Sequence, residues 1–142
     1  MLGLDLGEAR IGVAVSDPDR RVAVPAGTIR VAGPPQDLKA VAAMVREHGA
    51  TEVVVGHPVT MAGERGEAAR RAEEFAAGLR LLLDVPVRLH DERLSTAEAE
   101  RALRAAGAGG RQRRRAVDQA AATVILQAFL DARGGGRAAA PA

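Results

Sequence analysis

The chain opens MLGLDLGEARIGVAVSD, which sets an acid inside an apolar strand. Leu2, Leu4 and Leu6 alternate with Met1, Gly3 and Asp5, and an apolar run resumes from Ile11 to Val15. The pattern predicts a buried strand, a tight turn at Gly7–Glu8–Ala9, and a second strand pairing back on the first. A carboxylate buried without a partner costs several kcal/mol, or its pKa rises until it is neutral. Asp5 therefore needs either an arginine, such as Arg10 or Arg93, or a bound cation. The rest of the sequence has to decide between them.

The strand pair is followed by signals of an α/β domain. A third strand is expected within Arg21–Val31, interrupted by Pro25 and Gly27, and Gly33–Pro34–Pro35 ends it. Leu38, Val41, Ala42 and Val45 recur at helical spacing over Asp37–His48. Glu52–Gly56 (EVVVG) is a short continuous apolar strand of the kind covered on both faces. A second helix from about Glu64 to Leu83 would turn Ala68, Ala72, Phe75, Ala76 and Leu79 inward. Pro86–His90 is the fifth strand, and Ser95 or Thr96 can cap a third helix. After a Gly/Arg-rich stretch taken as a flexible loop, Val117, Ala121, Val124, Ala128 and Phe129 mark a last amphipathic helix. Strands first in a meander and then alternating with helices imply a mixed five-stranded sheet flanked by helices. Residues 1–132 are expected to form this one domain, and the low-complexity 133–142 a disordered tail.

Composition removes several function classes. With no Cys among 142 residues, a disulfide scaffold and a thiolate metal site are excluded, which suits a reducing cytoplasm. No apolar run approaches bilayer length and no signal-like segment opens the chain, so no membrane association is expected. Phe75 and Phe129 are the only aromatic residues besides histidines, too few for base-stacking platforms. Lys39 is the sole lysine, and arginine carries the remaining basic charge. Arg101, Arg104, Arg111, Arg113, Arg114 and Arg115 follow one another with no acid between them. A one-signed run beside Gly107, Gly109 and Gly110 suits phosphate contacts, although solvated charge runs are common.

Acids at other positions could join Asp5. Ligands of open α/β sheets gather at the carboxyl ends of parallel strands. Asp91 and Glu92 follow the fifth strand, and Asp118 lies in the first turn of the expected last helix, where an ionised carboxylate is favoured. Carboxylates clustered without Cys suit a hard cation, Mg²⁺ or Mn²⁺. Two such ions, about 3.5–4 Å apart, stabilise the attacking and leaving oxygens of phosphodiester hydrolysis. Only one of Asp91 and Glu92 can face the site, because strand neighbours point to opposite faces. His57 and His90 are read as hydrogen-bonded framework rather than ligands.

Four blocks in order, LGLDLGEARIGVAVSD, VVVGHPVTMAGERG, LHDERLSTAEAE and VDQAAATVILQAFLD, resemble the YqgF/RuvX family of pre-16S rRNA nucleases, also described as Holliday junction resolvases. The resemblance runs from Met1 to about Asp131. It implies an RNase H-like fold and a metal-dependent endonuclease acting on structured nucleic acid, at the 5′ end of pre-16S rRNA. Carried over by position, the metal-binding and catalytic acids are Asp5, Glu92 and Asp118, with Asp91 as the alternative to Glu92. Arg93, Arg111, Arg113, Arg114 and Arg115 would contact nucleic acid. Arg93, Ser95 and Thr96 would lie near the site, and Gly56, Pro58 and Gly63 would shape the neighbouring loop. The family usually reads GLPLNMDG where this chain has GHPVTMAG, with His57, Val59, Thr60 and Ala62 substituted. No acid follows the fourth strand, so the DER block must supply one.

Three rivals are weighed against this. A sugar-kinase or actin-like ATPase shares the DxG start but needs a second domain to close over ATP, and no P-loop is present. A non-catalytic nucleic-acid-binding factor would not need three acids. Branched DNA is the alternative nuclease substrate. Cutting a four-way junction symmetrically requires two sites related by a two-fold axis, whereas the sequence fits a monomer or weak homodimer.

Overall fold

A computed structural model describes residues 1–58, 66–91 and 110–138, with side chains in the last stretch from Gln119 to Arg133. Five strands, β1 (Leu2–Leu6), β2 (Arg10–Ser16), β3 (Ala23–Arg30), β4 (Val53–His57) and β5 (Val87–Asp91), form one mixed sheet in the order β3-β2-β1-β4-β5. β1 pairs antiparallel with β2, and β2 with β3, while β1, β4 and β5 run parallel. Three helices are described: α1 (Gln36–His48), α2 (Glu67–Leu82) and α3 (Gly110–Ala138).

The pleat divides the core in two. Leu2, Leu4, Ile11, Val13, Val53, Val55 and Val87 point to α1 and α2, meeting Val41, Val45, Ala72, Ala76 and Leu79. The alternate residues, Met1, Ala14, Ala23 and Val54, meet Ala122, Ile125, Leu126 and Leu130 of α3. A strand covered on both faces cannot alternate with polar residues, which explains the unbroken EVVVG run. Gly3 sets the spacing on the α3 side. A Cβ there would sit 2.7 Å from the Leu126 Cβ and 3.3 Å from the Ala122 carbonyl oxygen, so only glycine lets helix and strand approach this closely. Pro25 is tolerated because β3 is an edge strand with a register shift beside it. α1 ends at Gly49, in the left-handed conformation with φ of 61°.

Several sequence expectations shift. In α2 the buried small residue is Ala69, and Ala68 is exposed. In α3 the buried stripe is Ala122, Ile125, Leu126 and Leu130; of the expected set, Phe129 packs against it, Ala121, Val124 and Ala128 are only half-buried, and the Val117 side chain lies outside the described set. The run AAATVILQAF is apolar nearly all round, so periodicity alone does not fix its phase. Polar anchors do: the Ala23 N–H donates to Gln127 Oε1 at 2.9 Å, and Gln127 Nε2 donates to the Arg21 carbonyl at 2.9 Å. The Arg111–Arg115 stretch is the first turns of α3 rather than a flexible loop. Helix propensity of Arg and Gln outweighs the flanking glycines there. α3 also continues through residues 133–138, part of the stretch expected to be disordered, where Arg133 is tied to Glu52 and Phe129. The expected helix after Thr96 lies outside the described residues. Among the described residues, no helix is long and apolar enough to cross a membrane.

Candidate active site

Asp5 sits on the α3 face of the sheet. Its neighbours Leu4 and Leu6 belong to the opposite core, and Gly3, two residues back, abuts Leu126. Its antiparallel partner is Gly12. The β1–β4 register pairs Leu2, Gly3 and Leu4 with Val53, Val54 and Val55; one residue further it sets Gly56 beside Asp5, and Gly56 pairs with His90. On this face, then, the half-buried Asp5 has a residue without a side chain on each side.

α3 brings Asp118 toward the same place. The helix runs antiparallel to β1, because Arg133 near its end reaches Glu52 while the Leu2 N–H donates to the Glu52 carbonyl at 2.9 Å. Ala122 lies against Gly3. Asp5 is two strand residues beyond Gly3, about 6.6 Å, and Asp118 is four helix residues beyond Ala122 in the same direction, about 6 Å. The backbone positions of Asp5 and Asp118 therefore share one level on one face.

Asp91 is placed differently. It ends β5 paired with His57, and His57 Nε2 lies 2.6 Å from Glu73 Oε2 on α2. Asp91 thus falls on the α2 face, away from Asp5. Glu92, Arg93, Ser95, Thr96 and Gly63 lie outside the described residues. Arg111, Arg113, Arg114 and Arg115 are helical in backbone, and their side chains lie outside the described set.

Both histidines have framework partners. His90, on the α3 face, packs edge-on to the Phe129 ring at 5.9 Å between centroids. Burial pushes its pKa below the usual imidazole value, against an opposing pull from Asp91, so the ring is neutral at pH 7. Among the described residues no three acids or histidines form a metal cluster, the side chains of Glu92 and Asp118 not being among them. The two residues that share this level, Asp5 and Asp118, are both of carboxylate type, the chain has no thiolate, and the imidazoles of His90 and His57 are held by Phe129 and Glu73. That donor chemistry, beside the glycine-flanked Asp5, fits a hard divalent cation.

Two features escaped the sequence reading. A cavity of about 250 Å³ opens on the opposite face, lined by Leu6, Gly7, Ile11, Leu38, Arg71 and Phe75 among others. At the other end of β4, the buried Glu52 gathers Arg20, Arg88 and Arg133. Its signal was in plain view: Glu52 opens an otherwise apolar strand, as Asp5 interrupts one.

A mixed β3-β2-β1-β4-β5 sheet, covered by helices on both faces, with an acid on its first strand, defines an RNase H-like α/β protein. The fold matches the solved RuvC of T. thermophilus in complex with a Holliday junction substrate, with a TM-score of 0.57 at 22% identity, over 95% of this chain and 97% of that one. The family described as RuvX, Holliday junction resolvase, matches residues 1–132. A Thermobifida fusca protein named "Putative pre-16S rRNA nuclease" is 52% identical over 138 residues, covering 92% of this chain and 86% of its own. A Chloroflexus aurantiacus protein of the same name is 45% identical over 133 residues, covering 94% and 87%. The chain belongs to the RuvX family.

Proposed function

We propose that this protein is a metal-dependent endonuclease that hydrolyses phosphodiester bonds, trimming the 5′ end of pre-16S rRNA in the cytoplasm. The observation that carries the reading is the shared level of Asp5 and Asp118 on one sheet face. Family membership, with relatives named for that activity, supports it. Asp5, Glu92 and Asp118 would hold Mg²⁺ or Mn²⁺. Asp91, on the α2 face, is set aside in favour of Glu92.

The chain's own contribution is positioning. Asp5 is fixed by a strand paired on both sides, and Asp118 by a helix that Gly3 seats against that strand. The glycine flanks at Gly12 and Gly56 leave room for a phosphodiester to approach Asp5. A bound divalent ion supplies charge neutralisation at the phosphate and a lowered pKa for attacking water. Water oxygen bonds to phosphorus, one P–O ester bond breaks, and the departing oxygen takes up a proton. Arg93 and the arginines at the start of α3 (Arg111, Arg113, Arg114 and Arg115) would hold neighbouring phosphates.

Branched DNA is the second reading, favoured by the fold shared with a junction-bound resolvase. One experiment separates them. A labelled 5′-extended small-subunit rRNA precursor and a four-way DNA junction are incubated in parallel with Mg²⁺, Mn²⁺ or EDTA, using wild type and Asp118→Asn. The expected result is metal-dependent cutting of the RNA that the variant loses. Cutting of the junction alone would replace the substrate, and no cutting of either with binding retained would replace the nuclease with a binding factor.

A further inference from the structure

We infer that Arg20, Arg88 and Arg133, organised around the buried Glu52, form a phosphate clamp for the nucleic-acid backbone beside the candidate active site. The inference deepens the proposed function and rests on that reading for its substrate class.

Three distant elements converge on one carboxylate. Arg133 Nη1 of α3 donates to Glu52 Oε1 at 2.6 Å, Arg88 Nε of β5 donates to Glu52 Oε2, and Arg20 Nη1 from the β2–β3 turn lies 3.6 Å from Oε1. Arg20 Nη2 also donates to Thr51 Oγ1 at 2.6 Å. Holding the fold together would take one arginine. Three guanidiniums bring far more N–H donors than one carboxylate accepts. The Glu52 side chain is 5% exposed, whereas those of Arg20, Arg88 and Arg133 are 37%, 51% and 36% exposed. The acid is therefore inside and the cations face water.

The charge count favours an anion. Three guanidiniums share the one Glu52 carboxylate, and Asp17 of the same turn as Arg20 is engaged with the Arg21 and Val22 N–H groups. Arg133 is further fixed by lying over the Phe129 ring at 5.4 Å. A planar, pre-oriented guanidinium suits a phosphate, since little side-chain freedom is lost on contact.

Backbone strain marks the same place. Arg20 has φ of 58°, in a turn where its N–H donates to the Asp17 carbonyl at 3.0 Å. Glycine or asparagine would take that conformation with less strain. A long cationic side chain kept there points to a role for the side chain.

Position ties the clamp to the site. The β1–β4 register, Leu2 against Val53, sets Glu52 level with Met1, and Asp5 lies four strand residues beyond, about 13 Å. Arg88 pairs with Val54, whose side chain packs on α3, so Arg88 shares the Asp5 face. About four base steps of rise cover that distance. A strand crossing Asp5 would set a phosphate over the clamp.

The test is binding by fluorescence anisotropy of a labelled RNA hairpin and a labelled DNA duplex across a salt series, in EDTA to prevent cleavage. Arg20→Gln and Arg88→Gln should each lower the slope of log K against log salt by roughly one unit, and Arg88→Lys should retain it. Denaturant midpoints measured alongside separate loss of contact from loss of fold. Slopes equal to wild type in both glutamine variants would overturn the clamp and leave the cluster structural, as would wild type binding neither probe. Preference between probes identifies the nucleic acid. Asp5→Asn, expected to bind but not cut, keeps the outcomes distinct: cutting retained there would defeat the catalytic assignment while the slopes still decide the clamp.

Discussion

Asp5 lies on β1 and Glu52 at the entry to the neighbouring parallel β4, about 13 Å apart along the sheet, and their surroundings are opposite. Glu52 is wrapped by three guanidiniums. Burial alone would push its carboxyl up, but hydrogen bonds from Arg133 and Arg88 reverse this and hold it below the usual range. Asp5 instead lies between glycines on a face it shares with the helix carrying Asp118. The first is an acid whose charge the fold itself satisfies. The second is the acid to which the proposed function gives a bound cation. The comparison predicts which substitutions unfold the protein and which only silence it.

The largest expected effect is on activity. Asp5→Asn should lower the cleavage rate by more than about a hundredfold, the loss that an outer partner of a metal ligand alone can cause. Its stability should change by no more than about 1 kcal/mol, because the amide keeps the shape of the half-buried side chain. Rates on the rRNA precursor, with parallel denaturant melts, check both halves. A variant that melts early would place Asp5 in the same structural class as Glu52.

Glu52→Gln should show the reverse pattern. Losing the carboxylate leaves three arginines repelling one another, at a cost of roughly 1–3 kcal/mol, discounted because all three can turn to water. The midpoint of urea unfolding should fall while the cleavage rate at saturating substrate stays within about twofold. A large loss of rate with an unchanged midpoint would dissolve the distinction between the two acids.

Gly3→Ala tests the contact that joins the two regions. The added methyl would meet the Leu126 Cβ at 2.7 Å and the Ala122 carbonyl at 3.3 Å. Neither is the tip of a flexible side chain, so α3 must shift outward at about 1–3 kcal/mol. Because α3 carries Asp118, activity should drop more than that loss of stability explains. The rate of the folded fraction, measured well below the melting midpoint, reads this directly.

How much of this was legible in the sequence follows from what each signal depends on. β1, β2, β4 and β5 were found within a residue or so, because buried strands bounded by glycine, proline and acids leave few alternatives. The phase of α3 was not, since AAATVILQAF offers only Thr123 and Gln127 as polar marks among apolar residues, and the tertiary anchor at Gln127 settles it. Asp5 stood out because a lone acid in an alternating strand is locally anomalous. The level shared with Asp118 could not be read, as it depends on the helix running antiparallel to β1 and on Gly3 letting it close. The Arg20–Arg88–Arg133 convergence was equally invisible: three arginines from a turn, a strand and a helix have no common spacing. Arg111–Arg115 was seen as a charge run, but its helical state depends on propensity winning over the flanking glycines.

The smallest effect concerns pH, and it sharpens the contrast between the two faces. Burial beside Phe129 lowers the His90 pKa below its ordinary 6.5, so the unfolded chain binds a proton more readily than the folded one. Stability contributed by neutral His90 is complete above pH 6.5 and is lost progressively as pH falls from 6.5 through the lower folded value. Glu52 is also lowered, from 4.5, so its contribution is present above pH 4.5 and disappears as pH falls below it. The two windows do not coincide. Urea midpoints between pH 8 and pH 5 should decline in wild type, and His90→Gln should flatten that decline without altering the steeper loss below pH 4.5. Asp91 opposes the shift on His90, so Asp91→Asn should steepen the upper window. An Asp91→Asn protein with the wild-type profile would mean that the strand end couples to His90 too weakly to matter, and that the hydrophobic contact with Phe129 alone sets the acid sensitivity of the α3 face.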